Sequence, residues 1–319
     1  MAAAPVAADT IRVATFTVEL DRKGPGLLLR DIQSDKNKQV RAVIAQIVAA
    51  QPDVIAIQRF DWDARLDALT AFQNALDVAG WPLPHAVAPR PNSGVPSGLD
   101  LNNNGRTTDD QDNFGYGRFP GNRGLVVLSR LPITHADVRD FTALPSALNA
   151  QLKMHTVAYV EVPIMIGDTQ ITILASHATA PLFDGGTGQN ARRNAEEVGF
   201  FDTRMGQISG PFVIAANLNL DVADGDGDHA VIQQLLANPA LQDPQPTSKG
   251  AALAADADHT GNPALDTADW PDGMPGNLRV SYVLPSKDLR VLDSAVQWDP
   301  GQDITASKHR LVWVDIAVP

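Results

Sequence analysis

Seven polar groups stand at or beside apolar, strand-like runs of this chain: Thr17, Gln58-Arg59, Arg123, Ser176-His177, Asn217-Leu218-Asn219, Ser281 and Ser307-Lys308-His309. Strand ends converge when sheets stack, so polar residues remote in sequence meet there on a rigid scaffold. Brought together, Arg59, Arg123 and Lys308 supply fixed positive charge, and His177, Asn217, Asn219 and His309 supply hydrogen-bond donors. That set has the chemistry of an oxyanion site, because phosphate, sulfate and carboxylate are held best by charge-assisted hydrogen bonds from guanidinium and ammonium groups. The competing expectation is that the same cations simply pair with nearby acids, since charge clusters mark sites only statistically.

The elements that carry these residues follow from hydrophobic spacing. Residues 11–16 read as a strand, and Val40, Val43, Ile44, Ile47 and Val48 then recur at helical spacing. Pro52 ends that helix, residues 54–57 read as a short buried strand, and Leu66, Leu69, Phe72 and Leu76 form a second helical stripe. Residues 89–122 turn to Gly, Pro, Asn and Asp, which predicts a functional or ion-held loop, since plain connectors are shorter. Further strands are predicted at 125–128, 156–162, 170–175, 212–215, 280–284, 291–296 and 311–316. One later helix is expected with Ala191, Ala195, Val198, Met205 and Ile208 on its apolar face, and another over 230–236. Strands predominate and helices come singly, so the expected fold is α/β, with packed sheets and helices outside. Residues 1–9 are expected to be disordered, and 10–319 to form one domain.

Composition narrows the function. With 44% hydrophobic and 19% charged residues, and no apolar run near the roughly 20 residues that cross a bilayer, no membrane partner is expected. Twenty-five basic against 37 acidic residues give a net charge of -12, which argues against an extended nucleic-acid surface. The absence of cysteine excludes disulfides, thiolate metal sites and a cysteine nucleophile. The small-residue start from Met1 to Ala8 is what an A-x-A signal cleavage leaves behind, so a secreted or periplasmic bacterial location is expected.

In the order of its polar groups the chain resembles the endonuclease/exonuclease/phosphatase family, in particular an exported bacterial branch of it. The framework carrying the likeness is Arg12-Val13-Ala14-Thr15-Phe16, Pro52-Asp53-Val54-Ile55-Ala56-Ile57-Gln58 and Gly117-Arg118-Phe119-Pro120-Gly121. It continues through Val127-Leu128-Ser129-Arg130, Ser176-His177, Asn277-Leu278-Arg279-Val280 and His309-Arg310-Leu311-Val312-Trp313-Val314-Asp315. The resemblance implies a deoxyribonuclease-like, four-layer α-β-β-α sandwich of two packed mixed sheets, and an ancestral Mg²⁺-dependent hydrolysis of phosphate esters.

Against that pattern the site residues depart. Thr17 stands where the family has Asn, Arg59 where it has the metal-binding Glu, and Asn217 where an Asp activates the attacking water. Ser281 and Lys308 stand where it has Asp, and Arg123 aligns with a frequent Tyr, whereas His177, Asn219 and His309 are unchanged. Relative to the family the position becomes more positive by two units at Arg59 and at Lys308 and by one at Asn217 and at Ser281, six in all. A hard cation needs negative oxygen ligands, so no catalytic Mg²⁺ is expected, nor a general base at position 217. The implied reading is a catalytically altered member whose metal-free cationic pocket binds a small anion through Arg59, Arg123, Lys308 and Thr17. Replacement on this scale reads as divergence to another task. The alternatives are a hydrolase of changed chemistry, with Ser281 beside His309 as a nucleophile pair, and a residual phosphodiesterase with its metal held elsewhere. No G-x-S-x-G elbow accompanies Ser281.

Asp100-Leu101-Asn102-Asn103-Asn104-Gly105 matches the first half of a calcium loop, with Asp109 and Asp112 downstream and Gln111 where an EF-hand has Glu. Asp100, Asn102, Asn104, Asp109 and Asp112 are therefore candidate ligands of a structural Ca²⁺. Asp224-Gly225-Asp226-Gly227-Asp228 reads as a turn. His85, His135, His155, His229 and His259 lack paired ligand spacing and are expected at the surface or hydrogen-bonded, and Trp270, Trp298 and Trp313 in packing roles.

Overall fold

The computed structural model describes residues 10–272, 275–301 and 305–318, so the segment expected to be disordered lies outside the described residues. In chain order the elements are β1 (Thr10–Leu20), α1 (Leu27–Gln33), α2 (Lys38–Ala50), β2 (Val54–Phe60), α3 (Asp67–Val78), β3 (His85–Val87) and β4 (Gly124–Ser129). Then follow β5 (Arg139–Asp140), β6 (Ala158–Ile166), β7 (Thr169–His177), α4 (Gln189–Met205), β8 (Phe212–Asn217) and α5 (His229–Leu236). The last are α6 (Lys249–Leu253), β9 (Ser281–Pro285), β10 (Arg290–Val296) and β11 (Val312–Ala317).

Two mixed sheets form, one in the order β10-β11-β1-β2-β4-β3 and the other in the order β5-β6-β7-β8-β9. Side chains alternate across a strand, and that alternation builds three apolar layers. Val13, Val54, Ala56 and Val127 of the first sheet bury against Val160, Ile173, Val213 and Val283 of the second. On the outer face of the first sheet, Phe16, Ile55, Ile57 and Val126 pack on Val43 and Ile47 of α2 and Leu69 and Phe72 of α3. Tyr159, Leu174, Ile214 and Tyr282 do the same against Val198 and Phe201 of α4 and Ile232 of α5. The result is the expected α-β-β-α sandwich.

The face of α4 differs from its expected apolar stripe. Val198 and Met205 are buried as expected, but their buried companions are Arg193, Asn194, Glu197, Phe201 and Arg204 rather than Ala191, Ala195 and Ile208. The reason is what the helix covers: loop backbone whose polar groups need partners away from water. Asn194 Nδ2 donates to Thr179 O at 2.7 Å and Leu218 O at 2.8 Å, while Glu197 accepts the backbone N–H groups of Thr156 and Thr179. Burial pushes the Glu197 carboxyl up to about 7, against the pull of those two hydrogen bonds.

The long segment between β3 and β4 is folded back on itself. Gly94 N–H donates to Gly115 O and Phe114 N–H to Val95 O, and Asn92 N–H ties the loop to Val157 O. Gly94 has φ 74°, and a Cβ there would lie 1.9 Å from Phe119 O, so the chain can cross itself only at a glycine. His155 departs from its expected setting: it is fully buried with neither ring nitrogen hydrogen-bonded, stacked on Tyr159 at 5.1 Å. No described helix is long and apolar enough to cross a membrane.

Candidate functional site

The polar groups meet because of strand register. β1 and β2 run parallel with Thr17 opposite Gln58, and both pairings then slip at a bulge. β7 and β8 are parallel with His177 opposite Asn217, and β9 is antiparallel to β8 with Ser281 opposite Asn217. Beyond these ends opens a cavity of about 720 Å³ lined by, among others, Glu19, Arg59, Arg123, His177, Asn217, Asn219, Lys308 and His309. Bulges re-aim side chains, and here they turn Glu19 (φ 51°) and Arg59 (φ 57°) into the cavity. Arg123, Phe183 and Asn219 also have positive φ, so five of the ten described non-glycine residues in that region line this one cavity. Backbone of this kind costs energy and persists where surrounding structure enforces it, typically at functional sites.

Glu19 was missed by the sequence reading, and it changes the electrostatics. Its Oε1 receives Arg59 Nη1 at 2.6 Å, and its Oε2 accepts Lys308 N–H at 2.9 Å and Ser307 Oγ–H at 3.1 Å. Burial works to raise the Glu19 carboxyl, but Arg59, His309 and those hydrogen bonds outweigh it and hold the group below its ordinary value. Asp21 receives Arg59 Nη2 at 2.7 Å and lies 3.5 Å from Arg123 Nε. The expected purely cationic cluster is therefore corrected: Arg59 is consumed by two carboxylates. Acids placed by the β1 bulge supply what the neighbouring positions lack.

Lys308 remains free of ion pairs among the described residues, while Arg123 shares Asp21 with Arg59. Among the described residues Arg123 Nε has no hydrogen-bond partner, and burial followed by Arg59 pulls the guanidinium pKa below its ordinary value. Its backbone N–H is fixed at 3.1 Å from Asp61 Oδ1, and the Tyr116 ring stands 5.1 Å from its guanidinium. Lys308 lines the cavity, and its ammonium makes no ion pair among the described residues.

Both imidazoles are pushed toward the neutral form. Burial, then Arg123 and Arg59, takes His177 well below its ordinary value. Burial also brings His309 to about 4, despite the opposing pull of Glu19. Among the described residues neither Nδ1 has a hydrogen-bond partner, and neither does Ser281 Oγ. The expected Ser281–His309 pair is thus not formed: neither Ser281 Oγ nor His309 Nδ1 has a hydrogen-bond partner among the described residues, and Ser281 is 0% exposed and does not line the cavity. Thr17 is likewise 0% exposed and outside the lining, so it is a positioning residue rather than a ligand contact. Its hydroxyl accepts Asn217 Nδ2–H at 2.8 Å and donates to Gln58 Oε1 at 3.3 Å. Asn217 Oδ1 accepts Asn219 N–H at 2.9 Å, and Asn219 Nδ2 donates to Ala178 O. Trp270, expected in simple packing, lines the cavity with its ring edge-on to His309 at 5.1 Å.

The orphaned Ser281 Oγ and His309 Nδ1 give a prediction. Ser281→Asp supplies a carboxylate acceptor to the ring, and the His309 pKa is expected to rise by at least about one unit from its value near 4. Imidazole proton shifts followed by NMR across pH 3–8 check it, and an unmoved titration would show that position 281 does not face His309.

In the Asp100 loop, Asn102 Nδ2 and Asn104 Nδ2 donate to Asp109, while Asp100 accepts Asn104 N–H and Gly105 N–H. Asp112 Oδ1 accepts Leu101 N–H. Hydrogen bonds within the loop link the five candidate ligands and satisfy their carboxylates, but among the described residues no three His, Cys, Asp or Glu side chains are grouped to hold a metal. Leu101, Asn102 and Gln111 of this loop line the cavity, and Gln111 Nε2 reaches Phe183 O at 3.4 Å.

A sequence profile of the Endonuclease/Exonuclease/phosphatase family matches residues 31–308. No curated protein sequence matches the chain at a significant level. Among solved structures, it is similar to an endonuclease/exonuclease/phosphatase from Beutenbergia cavernae, at 18% identity and a TM-score of 0.63 over 97% of this chain and 72% of that one. A family protein from Leptotrichia buccalis aligns at 17% identity and 0.57 over 97% and 100%. The human Nocturnin catalytic domain with bound sulfate anion aligns at 15% and 0.54 over 97% of each chain. At such identities the structural likeness speaks for the fold, and the profile, which spans most of the sequence, speaks for descent: this chain belongs to the endonuclease/exonuclease/phosphatase family.

Proposed function

We propose that this chain is a catalytically altered family member that holds a small anion in the cavity at its strand ends without a metal. The observation carrying this reading is Lys308, a cation on the cavity lining with no ion pair among the described residues, beside Arg123, whose one acid, Asp21 at 3.5 Å, is shared with Arg59. The Mg²⁺ that the family implies does not fit the donors present. Mg²⁺ demands near-octahedral oxygen ligands, whereas both Glu19 oxygens already accept from Arg59, Ser307 and Lys308, and Asp21 faces two arginines. Among the described residues no three carboxylates or imidazoles are grouped to hold a metal. Neutral His177 and His309 each offer one ring N–H to an anion, so they add hydrogen bonding without adding charge.

Calorimetric titration of the full chain with inorganic phosphate in chelator tests this. Saturable binding is expected, weakened about 10- to 100-fold in Lys308→Ala, the loss of one charge-assisted hydrogen bond. The natural chain giving no heat at millimolar phosphate would sink the reading.

We further propose that the Asp100 loop takes a structural Ca²⁺, because it gathers oxygen-bearing side chains in one turn; binding would exchange the Asn104 N–H and Arg106 N–H bonds to the Asn102 and Asn104 amide oxygens for the ion. Millimolar CaCl₂ is expected to raise the melting temperature by a few degrees, an increment abolished in Asp100→Asn with Asp109→Asn. Identical melts in calcium and in chelator would remove this site.

A further inference from the structure

We propose that the anion bound in this cavity carries an aromatic ring beside a single phosphate or carboxylate group. This rests on the anion-binding reading and names the ligand class for it. The first observation is size: about 720 Å³ lies within the roughly 300–1,000 Å³ typical of sites for organic ligands, and a bare oxyanion would leave most of it filled with water.

The second observation is where the aromatic side chains stand. Tyr116 lies over the Arg123 guanidinium at 5.1 Å, and Trp270 meets the His309 ring edge-on at 5.1 Å. Each of these polar residues therefore has an aromatic neighbour on the same lining. Phe183 is 76% exposed and Tyr116 48% exposed, and both line the cavity. The other large exposed apolar residues, Val78, Leu148, Leu253 and Leu292, lie outside it. Phe183 also has φ 68°, a conformation that costs a bulky side chain energy while leaving its ring in water. Leu101, Pro181, Leu182 and Leu278 add apolar surface to the same lining. Stacking on such a surface favours a flat π-face, since aromatic pairs gain beyond the area they bury.

Charge limits the anionic end. Glu19 and Asp21 offset much of the positive charge of Arg59 and Arg123, which suits one anionic group rather than a polyanion. The cavity thus sets anion-holding side chains beside aromatic and apolar surface on one lining.

Competition and direct calorimetry with phenyl phosphate, benzoate, butyl phosphate and inorganic phosphate, in chelator, test the proposal. Phenyl phosphate is expected to bind at least tenfold more tightly than inorganic phosphate and several-fold more tightly than butyl phosphate. Benzoate binding as well as phenyl phosphate would assign the head group as carboxylate-tolerant, within the same class. Phe183→Ala and Tyr116→Ala are expected to erase most of the aromatic preference, read as the ratio of phenyl phosphate to inorganic phosphate affinity within each variant. Equal affinity for phenyl and inorganic phosphate, or a preference that survives both variants, overturns this inference and leaves anion binding standing. Absence of binding by any of the four overturns both.

Discussion

Glu19→Gln is expected to lower stability by about 1–3 kcal/mol and to tighten phosphate binding about tenfold. The carboxylate receives Arg59 at 2.6 Å, with both side chains about one-fifth exposed. Removing one partner of a fully buried pair costs about 3–5 kcal/mol, and partial exposure reduces that. Arg59 is then left with Asp21 alone, and one negative charge disappears beside the Lys308 backbone. Losing a unit charge near the bound anion, at an effective dielectric of about 20, is worth at least the tenfold gain. The Glu19 carboxyl is held below its ordinary 4.5 in the folded chain, so its contribution is fully present above that pH. It is lost as pH falls through the lower folded value, and the difference in melting between natural chain and variant should vanish there. Melting curves at pH 7 and in acid, together with calorimetry, check both halves; a variant that is equally stable with unchanged affinity would show that Glu19 does not govern the site.

The largest gain is expected from returning four residues to the family pattern. Arg59→Glu, Asn217→Asp, Ser281→Asp and Lys308→Asp together should create Mg²⁺-dependent hydrolysis of an activated phosphodiester, on the order of 10²-fold or more above the natural chain. His177, Asn219 and His309 are already in place around the same cavity. The new carboxylates join Glu19 and Asp21, so this variant should also melt several degrees higher in Mg²⁺ than in chelator. A folded variant showing neither metal-dependent melting nor turnover would mean that these four positions do not form the ancestral centre.

Much of the scaffold can be read from hydrophobic spacing, because each sheet face and helix face buries its own apolar set. Phe16, Ile55 and Ile57 fall on one side and Val13, Val54 and Ala56 on the other. The convergence of Arg59, Arg123, His177, Asn217, Asn219, Lys308 and His309 also follows from their places at strand ends. What escaped was compensation. Thr15, Thr17 and Glu19 alternate along β1, a period-two signal that would have carried the strand past Phe16 toward the site. The bulge that turns Glu19 inward leaves no mark in the sequence, and its partner Arg59 is 40 residues away. Charge counted only at positions matching a family pattern therefore overstated the positive potential. Trp270 escaped for a related reason: an aromatic residue in a polar stretch does not announce whether it faces core or cavity.

The central claim, an anion site that works without the family metal, is tested most directly on the natural chain. Hydrolysis of an activated phosphodiester measured with Mg²⁺, with Mn²⁺ and with chelator should stay at the uncatalysed rate in all three, while phosphate binding measured alongside is the same with and without metal. A turnover that appears with either metal and disappears with chelator would contradict the account, and would mean that the metal is held by ligands other than those at Arg59, Asn217, Ser281 and Lys308.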